Sequence, residues 1–333
     1  MKELLKVDKL KVDFAAYNGT VHAVRGVSFS IFEGETLALV GESGCGKSTL
    51  ARILMRLTEA DSGEIYFDGD QISGLADLLT IPRRDLNRIR GSEISMVFQD
   101  AMASLNPTMT VGAQMIETLR AHRQISKPEA AARGAELLTL VEMNGAKELL
   151  KRYPHELSGG QRQRVMIAMA LSCEPKLLIA DEPTTALDVT VQAQILSLLQ
   201  RLQKQLGMSV LLITHDLGIA AGIADRVQVM YAGQIVEKGS LKELFTAPRH
   251  PYTAALLTAI PRQNTSRRSE LYALPGTPPD LRLTLDCCPF VYRCRFAMAV
   301  CRKQNPEETD GCRCWLCHPM APKVDVLGGG EHA

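Results

Sequence analysis

Three short motifs in a fixed order constrain this chain of 333 residues more than any other feature. The first is the glycine-rich run GESGCGKS at 41–48, which follows a strand-like apolar run and precedes a helical pattern. The second is LSGGQ at 157–161, and the third is the apolar run 177–180, which ends in Asp181 and Glu182. A glycine loop between a strand and a helix is the context in which a phosphate-binding loop is recognised. The motifs therefore predict nucleotide chemistry.

The loop at 41–48 supplies the groups that hold phosphates. Its glycines let consecutive backbone N–H groups turn toward one centre, and the following helix adds its positive N-terminal end. Lys47 offers a point charge to the β- and γ-phosphates, and Ser48 offers a hydroxyl to Mg²⁺. The residues predicted to bind the nucleotide are Gly41, Glu42, Ser43, Gly44, Cys45, Gly46, Lys47, Ser48 and Thr49.

Asp181 and Glu182 stand at the end of a predicted strand, where ligand-facing residues of parallel sheets emerge. We expect Asp181 to hold Mg²⁺ through water. Glu182 is the candidate general base that orients or activates the attacking water. An acidic pair that caps a helix before Pro183 is the structural alternative, and the phosphate loop upstream argues against it.

Alternating strand and helix patterns predict an α/β fold with a largely parallel core. We expect a P-loop (RecA-like) nucleotide-binding domain over residues 1–260, with a helical subdomain inserted at about 101–174. After Pro261 the chain becomes polar and basic, as in a linker, and residues 261–333 form a small cysteine-rich C-terminal extension. Predicted strands lie at 10–14, 27–31, 36–40, 177–180, 210–213 and 227–231. Predicted helices begin near Ser48 and after the cap Ser126, and a third carries the apolar stripe Ile195, Leu199, Leu202 and Leu206.

The bulk composition excludes some classes of protein. Hydrophobic residues make up 46% and charged residues 23%, as in an ordinary globular protein. The net charge of +1 gives no reason to expect nucleic acid as a partner. Neither a membrane-spanning run of about 18 apolar residues nor the apolar core of a signal peptide is present in the sequence. We therefore expect a cytosolic chain that reaches a membrane only through a partner.

These motifs together resemble those of the ATP-binding subunits of ABC transporters, over residues 1 to about 260. Phe98-Gln99 is similar to the Q-loop, and the resemblance implies that Gln99 contacts Mg²⁺ or water and senses a membrane partner. Asp188 lies in a segment similar to the D-loop. Thr214-His215-Asp216 resembles the switch segment, in which His215 contacts the γ-phosphate. The implied catalytic set is Glu182, His215 and Gln99, with Ser48, Gln99 and Asp181 at Mg²⁺.

The resemblance gives LSGGQ a role in a partner's nucleotide site. It implies that Ser158, Gly159, Gly160 and Gln161 cover the γ-phosphate held by a second ABC ATPase subunit, related but not identical. An N-cap role for Ser158 is compatible with this, since a helix N-terminus also favours phosphate. Further implied partners are two membrane permease subunits and an external solute-binding protein. The chain is then peripheral, on the cytoplasmic face of the cell membrane.

The residue that stacks on adenine is less well defined. In the family it precedes the phosphate loop, and Phe14 at the end of the first predicted strand fits that place. Tyr17 is the alternative, because residues 15–20 form a loop of uncertain path. A core position for Phe14 is the third possibility, since aromatic residues are more often packing residues.

A narrower resemblance begins at His250-Pro251-Tyr252-Thr253 and continues at Leu274-Pro275-Gly276. These segments are similar to ATPase subunits of dipeptide, oligopeptide and nickel importers. They imply an importer ATPase with peptide cargo, and with nickel or another small solute as the alternative. A soluble ABC ATPase that acts on ribosomes or DNA is disfavoured, because neither a second cassette nor a coiled-coil insertion is visible. A regulatory metal-sensing module is disfavoured by the intact set of ATPase motifs.

Seven of the nine cysteines lie between Cys287 and Cys317. Structural disulfides are rare in the cytosol, so another role is expected. The spacing resembles the tail of D-type dipeptide/oligopeptide subunits, which implies a [4Fe–4S] cluster on Cys288, Cys294, Cys301 and Cys317. The surplus cysteines, each able to replace a neighbour, are Cys287, Cys312 and Cys314. A Cys₄ zinc site and metal-free thiols remain the alternatives.

Overall fold

Two β-sheets form the framework of the chain in a computed structural model, which describes residues 2–17, 19–71, 74–260 and 274–327. The strands are β1 (Glu3–Ala16), β2 (Gly19–Phe32), β3 (Thr36–Val40), β4 (Ser62–Gly69), β5 (Gly74–Asp77), β6 (Ile94–Val97), β7 (Leu177–Asp181), β8 (Ser209–Thr214), β9 (Arg226–Tyr231) and β10 (Gln234–Ser240). One sheet has six strands in the order β10-β9-β3-β8-β7-β6, and the other has four in the order β2-β1-β4-β5.

The six-stranded sheet carries the α/β character predicted from the sequence. Its neighbouring strands β6, β7, β8, β3 and β9 are all paired in parallel, and β10 is antiparallel to β9. The four-stranded sheet is antiparallel throughout. The sheets are therefore mixed, and the antiparallel sheet adds to the parallel core that the strand and helix patterns predict.

Eleven α-helices accompany the sheets in the described part of the chain. They are α1 (Lys47–Leu54), α2 (Arg83–Ile89), α3 (Ala101–Ser104), α4 (Val111–His122), α5 (Lys127–Leu140), α6 (Ala146–Leu149), α7 (Gly159–Ala170), α8 (Val189–Leu206), α9 (Leu217–Ile223), α10 (Leu241–Thr246) and α11 (Pro251–Thr258). Helices α3 to α7 lie between β6 and β7 in sequence, although these two strands are paired neighbours.

Strand β7 shows how the core is divided. Leu177 and Ile179 pack in one apolar cluster with Leu50 of α1, and the alternate residues Leu178 and Ala180 pack in another, among the helices α4, α5, α7 and α8. This period of two is the geometry of a strand with both faces covered. All five residues of β7 are therefore buried, and the last of them, Asp181, lies at the carboxyl end of the strand between the two apolar clusters.

Local signals set the helix starts. Ser126 caps α5 in a full capping box with Glu129, and a proline lies in the first turn. This confirms the predicted cap. In α8 the side chains of Ile195, Leu199 and Leu202 are buried on one stripe, which is the face predicted from their spacing.

Residues 274–327 contain little regular structure and pack against the rest of the chain. Phe290 and Val291 lie in the same apolar cluster as Tyr231 of β9 and Tyr252 of α11. On β2, Arg25 donates hydrogen bonds to two carbonyls of this segment, those of Leu281 and Leu283. The segment therefore shares its core with the rest of the chain. Within the described ranges, no helix combines the length and apolarity needed to cross a membrane.

Candidate functional site

The glycine loop connects β3 to α1 and fits closely beneath its neighbours. Gly46 is the N-cap of α1, with φ of 108°, and a Cβ added there would lie 2.3 Å from the carbonyl oxygen of Ala23. A Cβ on Gly41 would lie 2.1 Å from the carbonyl oxygen of Met230. Both positions therefore require glycine, because any side chain there would clash with the backbone of a neighbouring strand.

Lys47 places its charge at the centre of the loop. Its Nζ donates to the carbonyl oxygens of Gly41, at 2.6 Å, and Glu42, at 2.9 Å. The residue is only 4% exposed. The ammonium is thus held at the loop by neutral acceptors, where phosphate oxygens would be stronger, charged acceptors.

Ser48 and Asp181 bring two oxygen ligands together. The Ser48 hydroxyl donates to Oδ1 of Asp181 over 3.0 Å. Burial raises the pKa of Asp181, and the hydrogen bond from Ser48 acts in the opposite direction. A hydroxyl and a carboxylate are hard oxygen donors of the kind Mg²⁺ prefers, so the pair fits the predicted metal.

Glu182 is the meeting point of the predicted catalytic residues. Its Oε2 accepts hydrogen bonds from Gln99 Nε2, at 3.1 Å, and from the hydroxyl of Thr185, at 2.8 Å. Its Oε1 lies 3.4 Å from Nδ1 of His215. The structure thus brings Gln99 and His215 to Glu182. The side chain of Gln99 is hydrogen-bonded to this carboxylate, and not to Ser48 or Asp181, with which it was predicted to contact Mg²⁺.

The backbone of Glu182 is held in an uncommon conformation. Its φ is +46°, in the left-handed region, and its N–H donates to the carbonyl of Ile213 in β8 over 2.9 Å. Such a conformation persists when surrounding bonds fix it, and it is found at functional sites. The pairing of β7 with β8 therefore orients this carboxylate. Thr185 was not predicted from the sequence, although a hydroxyl residue closely following an acidic pair is a usable signal.

The LSGGQ segment forms the start of α7. Ser158 is the N-cap, its hydroxyl accepting from the N–H of Gln161, while Gln161 Oε1 accepts from the N–H of Ser158 over 2.9 Å. Gly160 packs so closely that an added Cβ would lie 2.6 Å from Val191 of α8. Asp188 caps α8 through the N–H of Val191. The described residues include no hydrogen bond or ion pair between this motif and the glycine loop of the same chain.

The two aromatic candidates for adenine stacking are both accessible. Phe14 lies in β1 opposite Val21 and is 39% exposed, and Tyr17 is fully exposed. This exposure argues against a core position for Phe14. The choice between Phe14 and Tyr17 stays a prediction.

All nine cysteines have free thiols. Cys288 and Cys301 are buried and adjacent, since the Cys288 N–H donates to the carbonyl of Cys301 over 2.9 Å. Burial raises the pKa of Cys288 to about 12. A hydrogen bond between the thiols of Cys312 and Cys317 raises the pKa of the first and lowers that of the second. Burial raises the pKa of Cys314, and the neighbouring thiols of Cys317, Cys288 and Cys294 raise it further.

The described residues contain no group of three or more His, Cys, Asp or Glu side chains arranged to hold a metal ion. The thiol of Cys317 is engaged by Cys312. The geometry therefore does not support the iron–sulfur set predicted from spacing, or its zinc alternative. The sulfurs are nonetheless donors of the kind that either metal takes.

Comparisons with known sequences agree with this site. The family described as "ABC transporter" matches residues 24–185, and "Oligopeptide/dipeptide transporter, C-terminal region" matches 236–301. The chain is 50% identical to the oligopeptide transport ATP-binding protein OppD of Bacillus subtilis, over 97% of this chain and 91% of that protein. It is 49% identical to the dipeptide transport ATP-binding protein DppD of the same organism, over 99% of this chain and all of that protein.

Solved structures match the fold. The dimeric, post-hydrolysis state of the ATP-binding cassette MJ0796, bound to ADP and Pi, is 30% identical with a TM-score of 0.64, covering 72% of this chain and 99% of that one. The CbiO1 subunit of the Clostridium perfringens complex CbiONQ is 32% identical with a TM-score of 0.62, over 77% of this chain and 96% of that one.

We predict that Gly46→Ala lowers the affinity for MgATP at least about a hundredfold. The added methyl group would clash with the carbonyl oxygen of Ala23, and residue 46 has a positive φ that disfavours alanine. Gly44→Ala is the matched control. Its φ is also positive, at 78°, but an added Cβ meets nothing within 4 Å. We expect this control to lose only about fivefold. Titration with a fluorescent ATP analogue measures both, and equal losses would contradict the packing argument.

Proposed function

The chain belongs to the ABC transporter family, and from this we propose that it is the ATP-hydrolysing subunit of an importer for oligopeptides or dipeptides. The enzymatic part rests on one observation, the convergence of Gln99, Thr185 and His215 on Glu182. Glu182 directly follows Asp181, which accepts the hydrogen bond from Ser48. Peptide cargo is supported by relatives at about 50% identity that are named for oligopeptide and dipeptide transport. These names favour peptides over nickel.

Each residue of the site has a part in hydrolysis. The loop N–H groups and Lys47 hold the phosphates, and Ser48 and Asp181 hold Mg²⁺, which neutralises phosphate charge. Glu182 orients and deprotonates the attacking water, and Gln99 and Thr185 fix its carboxylate by hydrogen bonds. His215 lies at the same carboxylate and is 57% exposed on its side chain, so it is free to reach a γ-phosphate.

A groove beside Gln99 suits a membrane subunit. It has a volume of about 270 Å³ and is lined mainly by apolar side chains, including Phe98, Met96, Met166 and Met169. Phe98 is the neighbour of Gln99, which bonds to Glu182. A short helix of a permease in this groove would therefore press on the segment that positions the base. The groove supports a permease as the partner of this chain and a peripheral position on the cytoplasmic face of the membrane. By resemblance to the family, the complete importer has two permeases and an external solute-binding protein that delivers the peptide.

The LSGGQ motif supports a second ATPase subunit. Ser158 and Gln161 hydrogen-bond to each other at the start of α7, and Ser158 is exposed. We propose that residues 158–161 close over the nucleotide of a related, non-identical partner, with Asp188 at the same interface. Residues 1–260 then act as the ATPase domain, with its helical subdomain at about 101–174, and residues 261–333 as an extension.

The importer proposal predicts that the chain is recovered from membranes together with hydrophobic permease subunits. In proteoliposomes containing that complex, its ATPase rate rises when the binding protein is loaded with a di- or oligopeptide. The same binding protein loaded with Ni²⁺ is the control and leaves the rate unchanged. Recovery with ribosomes alone, or stimulation by nickel alone, would overturn peptide import.

We predict that Glu182→Gln lowers the ATPase rate at least about a hundredfold while MgATP stays bound. The amide keeps the hydrogen bond geometry but cannot take a proton, so ATP is trapped and the closed dimer accumulates. Single-turnover hydrolysis and size-exclusion chromatography with ATP measure the two effects. An unchanged rate in the purified complex would remove Glu182 from this role.

We also propose a [4Fe–4S] cluster on the extension, from the spacing of its cysteines and the donor chemistry of thiolates, with zinc as the alternative. The proposed cluster ligands are Cys288, Cys294, Cys301 and Cys317, and each of Cys287, Cys312 and Cys314 could replace a neighbour. The fourth ligand is Cys317 by spacing, and Cys314 is an alternative because the thiols of Cys317, Cys288 and Cys294 all help to raise its pKa.

Anaerobic purification tests this proposal. A cluster gives absorbance near 400 nm, with about four iron and four sulfide per chain. We expect Cys288→Ser to abolish both, and Cys317→Ser and Cys314→Ser together to identify the fourth ligand. Cys173→Ser is the matched control outside the extension. A colourless protein with stoichiometric zinc, or one without metal, would reject the cluster.

A further inference from the structure

One arginine of the C-terminal segment reaches the glycine loop. Arg293 donates to Glu42 through both terminal nitrogens, Nη1 to Oε2 at 2.7 Å and Nη2 to Oε1 at 2.9 Å. The Arg293 side chain is only 5% exposed and that of Glu42 is 28% exposed. A bidentate pair of this kind fixes geometry as well as charge, and burial shields it from salt.

Arg293 is itself held on every side. Its Nε donates to the carbonyl of Pro275 over 2.9 Å, and Nη1 also contacts the hydroxyl of Tyr231 at 3.2 Å. Its backbone N–H donates to the carbonyl of Phe290, whose ring packs against Tyr231 and Tyr252. The guanidinium is therefore a rigid anchor and not a mobile surface charge.

Glu42 receives contacts from three directions. Its N–H donates to the hydroxyl of Tyr252 over 2.9 Å, its carbonyl accepts from Lys47, and its carboxylate accepts from Arg293. Two of the three partners lie outside the glycine loop. The orientation of the peptide groups around Glu42 thus depends on α11 and on the C-terminal segment.

We propose that Arg293 is a positioning residue for nucleotide binding, which acts through Glu42 to hold the glycine loop in its phosphate-binding shape. Arg293 does not touch the nucleotide. Loss of the ion pair lets the loop around Glu42 and Lys47 relax. The loop N–H groups and the Lys47 ammonium are then less well placed to bind the phosphates, so the effect is on nucleotide binding and precedes hydrolysis. The inference rests on ATP binding at this loop, as in the proposed function, and is independent of the cargo.

The effect is expected on affinity. Interactions that bind substrate and transition state equally change KM and leave kcat nearly unchanged. We expect Arg293→Gln and Glu42→Gln each to raise the Kd and KM for MgATP about tenfold in the assembled transporter, with kcat within about twofold. Because the two residues act as one unit, the double variant should be no weaker than either single one. Arg293→Lys keeps the charge without the fork and should recover part of the affinity.

Arg249→Gln is the matched control. Arg249 also joins the two parts of the chain, through a bond of 2.6 Å to the carbonyl of Asp310, but it makes no contact with the glycine loop in the described structure. We expect its Kd for MgATP to equal that of the unmodified chain. Thermal unfolding of all variants separates loss of fold from loss of loop position.

The outcomes are distinguishable. If the unmodified chain binds no MgATP, the proposed function fails. If it binds MgATP and Glu42→Gln binds equally well, the positioning role of Arg293 is overturned, and this variant decides the matter even if Arg293→Gln does not fold. Additive losses in the double variant, or an equal loss in Arg249→Gln, would also reject the proposal.

Discussion

Hydrogen bonds between the parallel strands β3, β8 and β7 determine where the glycine loop and the predicted catalytic residues His215 and Glu182 lie. These strands are neighbours in the sheet, so the glycine loop after β3, His215 after β8 and Glu182 after β7 emerge at one edge. The N–H of Glu182 continues the pairing by one bond beyond β7, to the carbonyl of Ile213. A parallel sheet thus converts three distant segments into one site, because strand ends of the same sense lie side by side.

The sequence predicts this part of the molecule well. The buried runs at β3, β7 and β8, the glycine loop and the capping box of α5 are local signals, and the structure contains each of them. Of the antiparallel sheet, the predicted strands at 10–14 and 27–31 lie in β1 and β2, whereas β4, β5 and the antiparallel pairing were not predicted. Its strands β4 and β5 carry weak apolar patterns, and their pairing depends on β1, far away in the chain. The extension differed as well. The sequence did not predict that this segment shares its core with the rest of the chain, where Phe290 and Val291 pack in one cluster with Tyr231 and Tyr252.

Contacts between distant residues are the part that no local pattern provides. Arg293 and Glu42 are 251 residues apart. Arg293 lies in a cysteine-rich segment and Glu42 in a glycine loop, so the sequence around neither residue indicates that the two form a pair. Thr185 is similar, since its hydroxyl acquires a role only when Glu182 takes its left-handed conformation. For Cys317, the resemblance in cysteine spacing implied a metal ligand, and in the structure its thiol is hydrogen-bonded to that of Cys312.

The glycine loop is consequently constrained from two sides of the molecule. On the sheet side, close contacts with the carbonyls of Ala23 and Met230 allow only glycine at 46 and 41. On the other side, Tyr252 and Arg293 fix Glu42, whose backbone carbonyl accepts a hydrogen bond from Lys47. Lys47 then has little freedom of its own, being buried with two carbonyl acceptors. A loop so restrained has its donors arranged before the nucleotide arrives, which lowers the ordering cost of binding. The segment that carries the cysteines is part of that restraint, since Arg293 lies next to Cys294 in the chain.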